Sequence, residues 1–314
     1  MTEPATATSA QQRAAEPGAP DGAHHPSPTG WLAFSALAWL LVALLFYRTA
    51  FTGAEGDYNL VLASLLLPLV VQASLVAGAA VGLWSTLALG RRKAWADHGA
   101  GRWAVGIGAG LLTGTLASGA VLLAYGMSAR AVGVVAIAMG ASGALGGALG
   151  AVRPARILAA GLTAALAVLV FLNVMALFST PLLDAFGGGD TAADRYEANG
   201  LLAGSLAVIA GLIAGFLAYT RLRRAAKRAG DSPSWPVYLA AGAAAGIMLS
   251  VAELAVRLGV AQLLALASAD ITADAEILDF IAASRRNTGL VVLFVGAITA
   301  IIAYGRTLPK PTRD

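Results

Sequence analysis

The chain has 314 residues, of which 58% are hydrophobic and only 12% are charged, and its mean hydropathy is +0.74. Soluble domains carry roughly 25% charged residues, so this composition excludes a soluble enzyme, a nucleic-acid-binding protein and a disordered protein, and it indicates a membrane protein. The net charge of +4 then reflects basic loops rather than an anionic partner. The absence of cysteine excludes disulfides, iron–sulfur clusters and thiolate metal sites.

The first 30 residues differ from everything that follows. Residues 1–30 are polar and rich in Ala, Pro, Gly and Thr, and such a segment cannot bury enough apolar surface to offset its ordering entropy. We therefore expect a disordered cytoplasmic tail at this end. A second short cytoplasmic tail is expected over residues 306–314.

Eight apolar segments lie between the tails, and each is close to the 20 or so residues that a membrane-spanning helix needs. They cover residues 31–49, 60–88, 103–126, 131–151, 155–179, 199–220, 235–263 and 288–305. None shows the alternation of a transmembrane barrel strand. The sequence predicts an all-α, polytopic membrane bundle of about eight helices.

The charges of the connecting loops alternate in sign along the chain. One set of loops and the C-terminal tail hold most of the basic residues: Arg91, Arg92, Lys93, Arg102, Arg153, Arg156, Arg221, Arg223, Arg224, Lys227, Arg228 and Arg306. The other set holds most of the acids: Glu55, Asp57, Asp184, Asp190, Asp194, Glu197, Asp270, Asp274, Glu276 and Asp279. The positive-inside rule places the basic loops, and with them both termini, in the cytoplasm. Because lysine is scarce and Ala, Gly and Arg are abundant, we expect the inner membrane of a bacterium with a GC-rich genome.

A shift of about 132 residues aligns the two halves of the chain. It matches small residues of the third span with those of the seventh: Gly110 with Gly242, Gly114 with Gly246 and Ser118 with Ser250. Four spans separate the two copies, so both would have the same orientation. The match predicts a parallel 4+4 duplication, with one repeat over residues 31–151 and the other over residues 155–305.

Small residues recur at every fourth position of the third span, at Gly106, Gly110, Gly114 and Ser118. Residues four apart share one helix face, so a neighbouring helix can approach closely there, as membrane helices require. Three interpretations are open for this face and for Gly242, Gly246 and Ser250: packing within the chain, a homodimer interface, and a surface for sliding motion.

Three side chains form the candidate intramembrane polar site. Glu253 lies in the seventh span with Arg257 four residues later, the favourable order for a helical ion pair. At 1.5 Å per residue Glu253 lies about 27 Å from Trp235, close to the outer surface of a core about 30 Å thick. An interfacial ion pair and a substrate or proton site are both open, and Gln72 in the second span is either an interhelical hydrogen-bonding group or a pore-lining residue.

The longest loop on the acidic side is the extracytoplasmic segment 266–287. Within it, Asp274 to Arg286 resembles a short amphipathic helix, with acids in its first turns and Arg285 and Arg286 at its end. Such a helix either lies flat on the membrane or covers a cavity.

Catalytic motifs are missing from the sequence. The histidines, His24, His25 and His98, lie outside the spans, and no HExxH or Walker A sequence occurs, so we expect no enzyme activity and no cofactor.

The leading hypothesis is a transporter, permease or exporter membrane subunit for a small or amphipathic molecule. The alternative is a non-catalytic scaffold in envelope assembly or cell division. The expected partners are the lipid bilayer and a soluble cytoplasmic protein, such as an ATPase subunit or a division protein; a homodimer is also open, and nucleic acid is excluded.

Overall fold

The computed structural model describes residues 28–50, 57–93, 98–125, 130–189, 191–264 and 272–307. Within these ranges the chain forms helices and no strand, in the order α1 (Pro28–Ala50), α2 (Asp57–Gly90), α3 (Gly99–Tyr125), α4 (Arg130–Gly150), α5 (Ala155–Leu177), α6 (Ser179–Ala185), α7 (Ala192–Ala229), α8 (Trp235–Leu264) and α9 (Thr272–Gly305). All except the seven-residue α6 are long and apolar enough to span a membrane. The prediction of a polytopic helical bundle with eight spans is confirmed.

The two ends of the chain are described only in part. Most of the predicted N-terminal tail, residues 1–27, and the last seven residues, 308–314, lie outside the described ranges. Helix α1 begins at Pro28, within the predicted tail. Proline suits the first turn of a helix because its φ angle is already helical and its missing N–H would have no partner there.

Helix α9 differs from the sequence interpretation. A short surface helix followed by a separate span was expected, whereas a single helix runs from Thr272 to Gly305. Neither proline nor glycine occurs between residues 272 and 288 to interrupt it. Residues 265–271 of the predicted segment lie outside the described residues. The consequence is that Arg285 belongs to a membrane helix.

Helix α2 is the centre of the bundle. Its span is 72% buried within the protein, whereas the spans of α1, α3 and α9 are each 28% buried. It packs against α1, α3, α4, α5 and α8. Helices α2, α3 and α4 contact one another, and so do α7, α8 and α9, which are the equivalent spans of the two predicted repeats. The duplication itself stays a prediction.

Residue size separates the interior from the lipid-facing surface. Among the described residues, alanine accounts for 27 of the 52 buried hydrophobic residues, while Leu, Ile, Phe and Trp dominate the exposed ones. No hydrophobic effect drives helices together in lipid, so close backbone approach between small residues must hold the bundle. Many large side chains consequently point outward into the acyl chains, while others, such as Leu67 and Leu75, are fully buried.

The small-residue face of α3 packs against α4. A Cβ atom added at Gly110 would lie 2.6 Å from the Cα of Gly147, and one at Gly106 would lie 2.6 Å from the Gly147 carbonyl oxygen. A Cβ at Gly114 would lie 2.9 Å from the carbonyl oxygen of Gly140. The two backbones therefore touch along this seam, and only glycine fits at these positions.

The corresponding face of α8 packs against α9. A Cβ atom at Gly242 would collide with the Gly296 carbonyl oxygen, and one at Gly246 would lie 2.5 Å from the Cα of Leu293. The serine hydroxyls at the ends of the two faces differ in whether they contact the neighbouring helix. Ser118 Oγ lies 2.5 Å from the Ala136 carbonyl oxygen on α4, whereas Ser250 Oγ donates to the Gly246 carbonyl oxygen of its own helix. The structure thus places both small-residue faces at helix contacts inside one chain.

Candidate functional site

Two polar contacts join the predicted basic loops at one end of the bundle. Arg102 Nη2 at the start of α3 donates to the Val152 carbonyl oxygen, between α4 and α5, at 3.1 Å. Arg156 at the start of α5 lies 3.4 Å from the Asp231 carboxylate, between α7 and α8. This end is called the basic end below.

A cavity of about 710 Å³ lies toward the opposite end, among α1, α2, α5, α7, α8 and α9. Its walls come from the later halves of α1, α5 and α8 and the earlier halves of α2, α7 and α9. Most lining residues are apolar; the polar and ionic ones, apart from the indole of Trp39, are Gln72, Asn173, Glu253, Arg285 and Thr288. Small-molecule sites have volumes of about 300–1,000 Å³ and the same mixture of apolar walls with a few polar groups.

The carboxylate of Glu253 is the electrostatic centre of the cavity. Its residue is 4% exposed, and it is the only buried carboxylate among the described residues. Oε2 accepts a hydrogen bond from Arg285 Nε at 2.9 Å. The expected partner Arg257 is more distant, with its Nε 3.8 Å from Oε1. The nearer partner therefore comes from α9, which the sequence analysis did not connect with Glu253.

One oxygen of this carboxylate is poorly satisfied. Glu253 Oε1 is buried and accepts no hydrogen bond from the described residues, although the Arg257 guanidinium provides a charge at 3.8 Å. Buried polar atoms in proteins nearly always have a hydrogen-bond partner. An exception inside a cavity wall is typical of a group that binds a ligand or water.

Gln72 also lines the cavity, together with Pro68 one helical turn before it. The structure thus brings Gln72 and Glu253 to one site, with Arg257 at its side.

Two further polar residues of the wall were missed in the sequence. Asn173 of α5 donates from Nδ2 to the Leu169 carbonyl oxygen at 2.8 Å, and Trp39 of α1 has a buried indole N–H without a hydrogen-bond partner in the described protein. An asparagine inside an apolar span was a visible signal for the first; nothing in the sequence separated Trp39 from the other tryptophans.

The cavity is closed on the side of the basic end. Between Gln72 and the basic end, helices α2, α5 and α8 leave a gap too narrow to admit a water molecule. Its walls are Leu75, Val76, Ala165, Leu169, Ala245, Met248, Leu249 and Ala252. Small and apolar side chains interlock here, so no continuous pore crosses the bundle at this point. The cavity is therefore a one-sided pocket.

The basic end is an aromatic and cationic cluster. The rings of Tyr238 and Tyr304 stack with centroids 4.8 Å apart, and Tyr219 packs against Tyr238 at 5.6 Å. Arg223 donates from Nη1 to the Tyr219 hydroxyl at 2.8 Å. These contacts tie α7, α8 and α9 together on the closed side of the cavity.

Comparison of the chain with known protein families, with curated proteins and with solved structures finds no match. The described residues also contain no cluster of three side chains suited to hold a metal ion. A functional assignment therefore depends on the cavity and on the charges around it.

Proposed function

We propose that this protein transports a small or amphipathic molecule across the cell membrane, as a permease or as the membrane subunit of an exporter, without catalytic chemistry of its own. The one-sided cavity carries the proposal. Its walls combine α1 and α2 with α5, α7, α8 and α9, so it lies where the two predicted repeats meet. Transporters with internal repeats bind their substrates at such a junction.

The direction of the cavity follows from the predicted topology. With both termini and the basic end in the cytoplasm, the cavity lies toward the outer face of the bacterial inner membrane, and the packed residues between α2, α5 and α8 separate it from the cytoplasmic side. Such a state is one of the two that alternating access requires. Movement of the sealed region would then expose the site to the other side.

The energy source is expected to be a partner protein. The cavity contains one carboxylate, and Arg285 already pairs with it. Ion-coupled transporters use buried carboxylates that exchange their ions, which this pairing disfavours. A soluble ATPase bound at the basic end accounts better for a transporter of this kind.

Filling the cavity tests the proposal. Ala203 of α7 lines the cavity, whereas Val208 on the same helix is exposed and lies outside it. In a deletion strain that shows altered sensitivity to a panel of toxic compounds, we expect the wild-type gene and Val208→Trp to restore the normal sensitivity. We expect Ala203→Trp to fail at equal membrane abundance, because an indole occupies the binding space.

Equal complementation by both variants would contradict transport through this cavity.

The same strains are also scored for the position of their septa, because the second candidate function, a scaffold in envelope assembly or cell division, depends on a different surface. That candidate is favoured by α7, whose 38 residues extend about 57 Å, well beyond a core of about 30 Å. Misplaced septa with unchanged compound sensitivity would favour the scaffold.

A further inference from the structure

We propose that the ligand of the cavity is an anionic amphiphile with one acyl chain and a hydroxyl group, of the lysophospholipid type, which reaches the cavity from the lipid. This inference rests on the proposed function, because it names the substrate class of the same cavity. The rim of the cavity, its charges and its unsatisfied polar atoms support this assignment.

The rim of the cavity is apolar. On α1 it is formed by Val42 and Phe46, and on α5 by Val174 and Leu177, and all four side chains are exposed. Both stretches belong to membrane spans, and α1 makes most of its contacts with α2 rather than α5. The exposed lining residues of α1 and α5 therefore face acyl chains, and an alkyl chain that enters the cavity beside them keeps apolar surroundings.

The charges beside the cavity favour an anion, and one of them, Arg257, contacts Glu253 without lining the cavity itself. Arg285 and Arg257 both lie beside the single carboxylate of Glu253, so these three side chains carry an excess of one positive charge. The bond to Glu253 uses only Nε of Arg285. Its two Nη nitrogens remain for a ligand phosphate, which a guanidinium group binds as a fork.

The remaining polar atoms fit the other groups of such a molecule. Glu253 Oε1 is buried without a hydrogen-bond donor, and a ligand hydroxyl supplies one. The indole N–H of Trp39, buried without an acceptor, matches an ester carbonyl oxygen. A volume of about 710 Å³ lies within the range of small-molecule sites, about 300–1,000 Å³, and we assign it a ligand with one acyl chain.

The experiment measures binding of two probes to the purified full-length protein in detergent by native mass spectrometry. The probes are lysophosphatidylglycerol, which is anionic, and the monoacylglycerol with the same chain, which keeps the ester and a hydroxyl group but has no phosphate and no charge. The variants are Arg285→Gln and, as a matched control, Arg286→Gln, because Arg286 is adjacent but exposed and absent from the cavity wall.

We expect the wild-type protein and Arg286→Gln to bind lysophosphatidylglycerol at least about tenfold more tightly than the monoacylglycerol. Arg285→Gln should lose about that factor, which corresponds to about 1.4 kcal/mol, for the anionic probe only. Equal affinity of the wild-type protein for the two probes, or unchanged affinity of Arg285→Gln, would overturn the assignment.

Removing one member of a buried ion pair can prevent folding, so the double variant Arg285→Gln/Glu253→Gln, which removes both charges, is measured as well. It should also lose the preference for the anionic probe, and tight anionic binding by a folded double variant refutes the proposal. Transport is assayed separately, by movement of the bound lysophosphatidylglycerol between the leaflets of proteoliposomes. Binding without movement refutes the proposed function alone, whereas cavity-dependent transport of another solute without binding refutes this inference alone.

Discussion

Two alanine substitutions on α3 test the helix packing that holds this bundle together. Gly108 and Gly110 are two residues apart on one helix, but a Cβ atom at Gly108 would meet nothing within 4 Å. One at Gly110 would lie 2.6 Å from the Cα and 2.7 Å from the N of Gly147. Ordinary contacts of a Cβ atom lie at 3.4–4 Å, so Gly110→Ala must push α3 and α4 apart by several tenths of an ångström.

The magnitude follows from comparing the two variants. Each replaces glycine by alanine within a helix and gains up to about 1 kcal/mol of helix propensity, which cancels in the difference between them. Overpacking a tight interface costs about 1–3 kcal/mol, since a gap of about 0.5–1 Å already removes a quarter to a half of the dispersion attraction. We expect Gly110→Ala to be less stable than Gly108→Ala by about 1–3 kcal/mol.

The assay is heating of the detergent-solubilised protein, followed by size-exclusion chromatography of what remains monodisperse. A difference of 1 kcal/mol corresponds to about 2–4 °C for a domain of 150–250 residues, so Gly110→Ala should melt several degrees below Gly108→Ala. Gly108→Ala should melt at or slightly above the temperature of the wild-type protein. If the two variants melt together, the glycine face of α3 does not hold α4 in place.

Three further predictions concern the same architecture. Gly114→Leu should lower abundance and melting temperature although it raises apolar content, whereas Leu111→Val, at a side chain 46% exposed to lipid, should do little; a wild-type melting curve for Gly114→Leu would show that this face points to lipid. Reporter fusions after Gly90 should report a cytoplasmic location and fusions at Gly188 an external one, and a single reversed result would reject the topology. If the duplication is real, one rotation about the membrane normal should place helices α1–α4 on α5, α7, α8 and α9 with Gly114 on Gly246, and an experimental structure that allows no common rotation would exclude it.

The polar side chains in the apolar runs marked the site before its structure was known. Glu253 and Gln72 stood out because ionisable and amide groups are expensive within a bilayer and are rarely retained without a partner or a role. Both line the cavity. What the sequence did not contain was the partner: Arg285 lies 32 positions from Glu253 on another helix, and its adjacent arginine made it resemble the end of a surface helix.

The sequence by itself determined the class of fold and the number of spans, because a bilayer forces every backbone polar group to be satisfied within an apolar helix of about 20 residues. Only the tertiary structure decided which face of each helix points inward. In a soluble helix that face is marked by a hydrophobic stripe, but here both faces are apolar and differ mainly in side-chain size. Gly108 and Gly110 are chemically identical, and only the position of α4 makes one of them irreplaceable. The cavity was decided in the same way, because six helices supply its walls and their mutual arrangement is a property of packing that no single segment encodes.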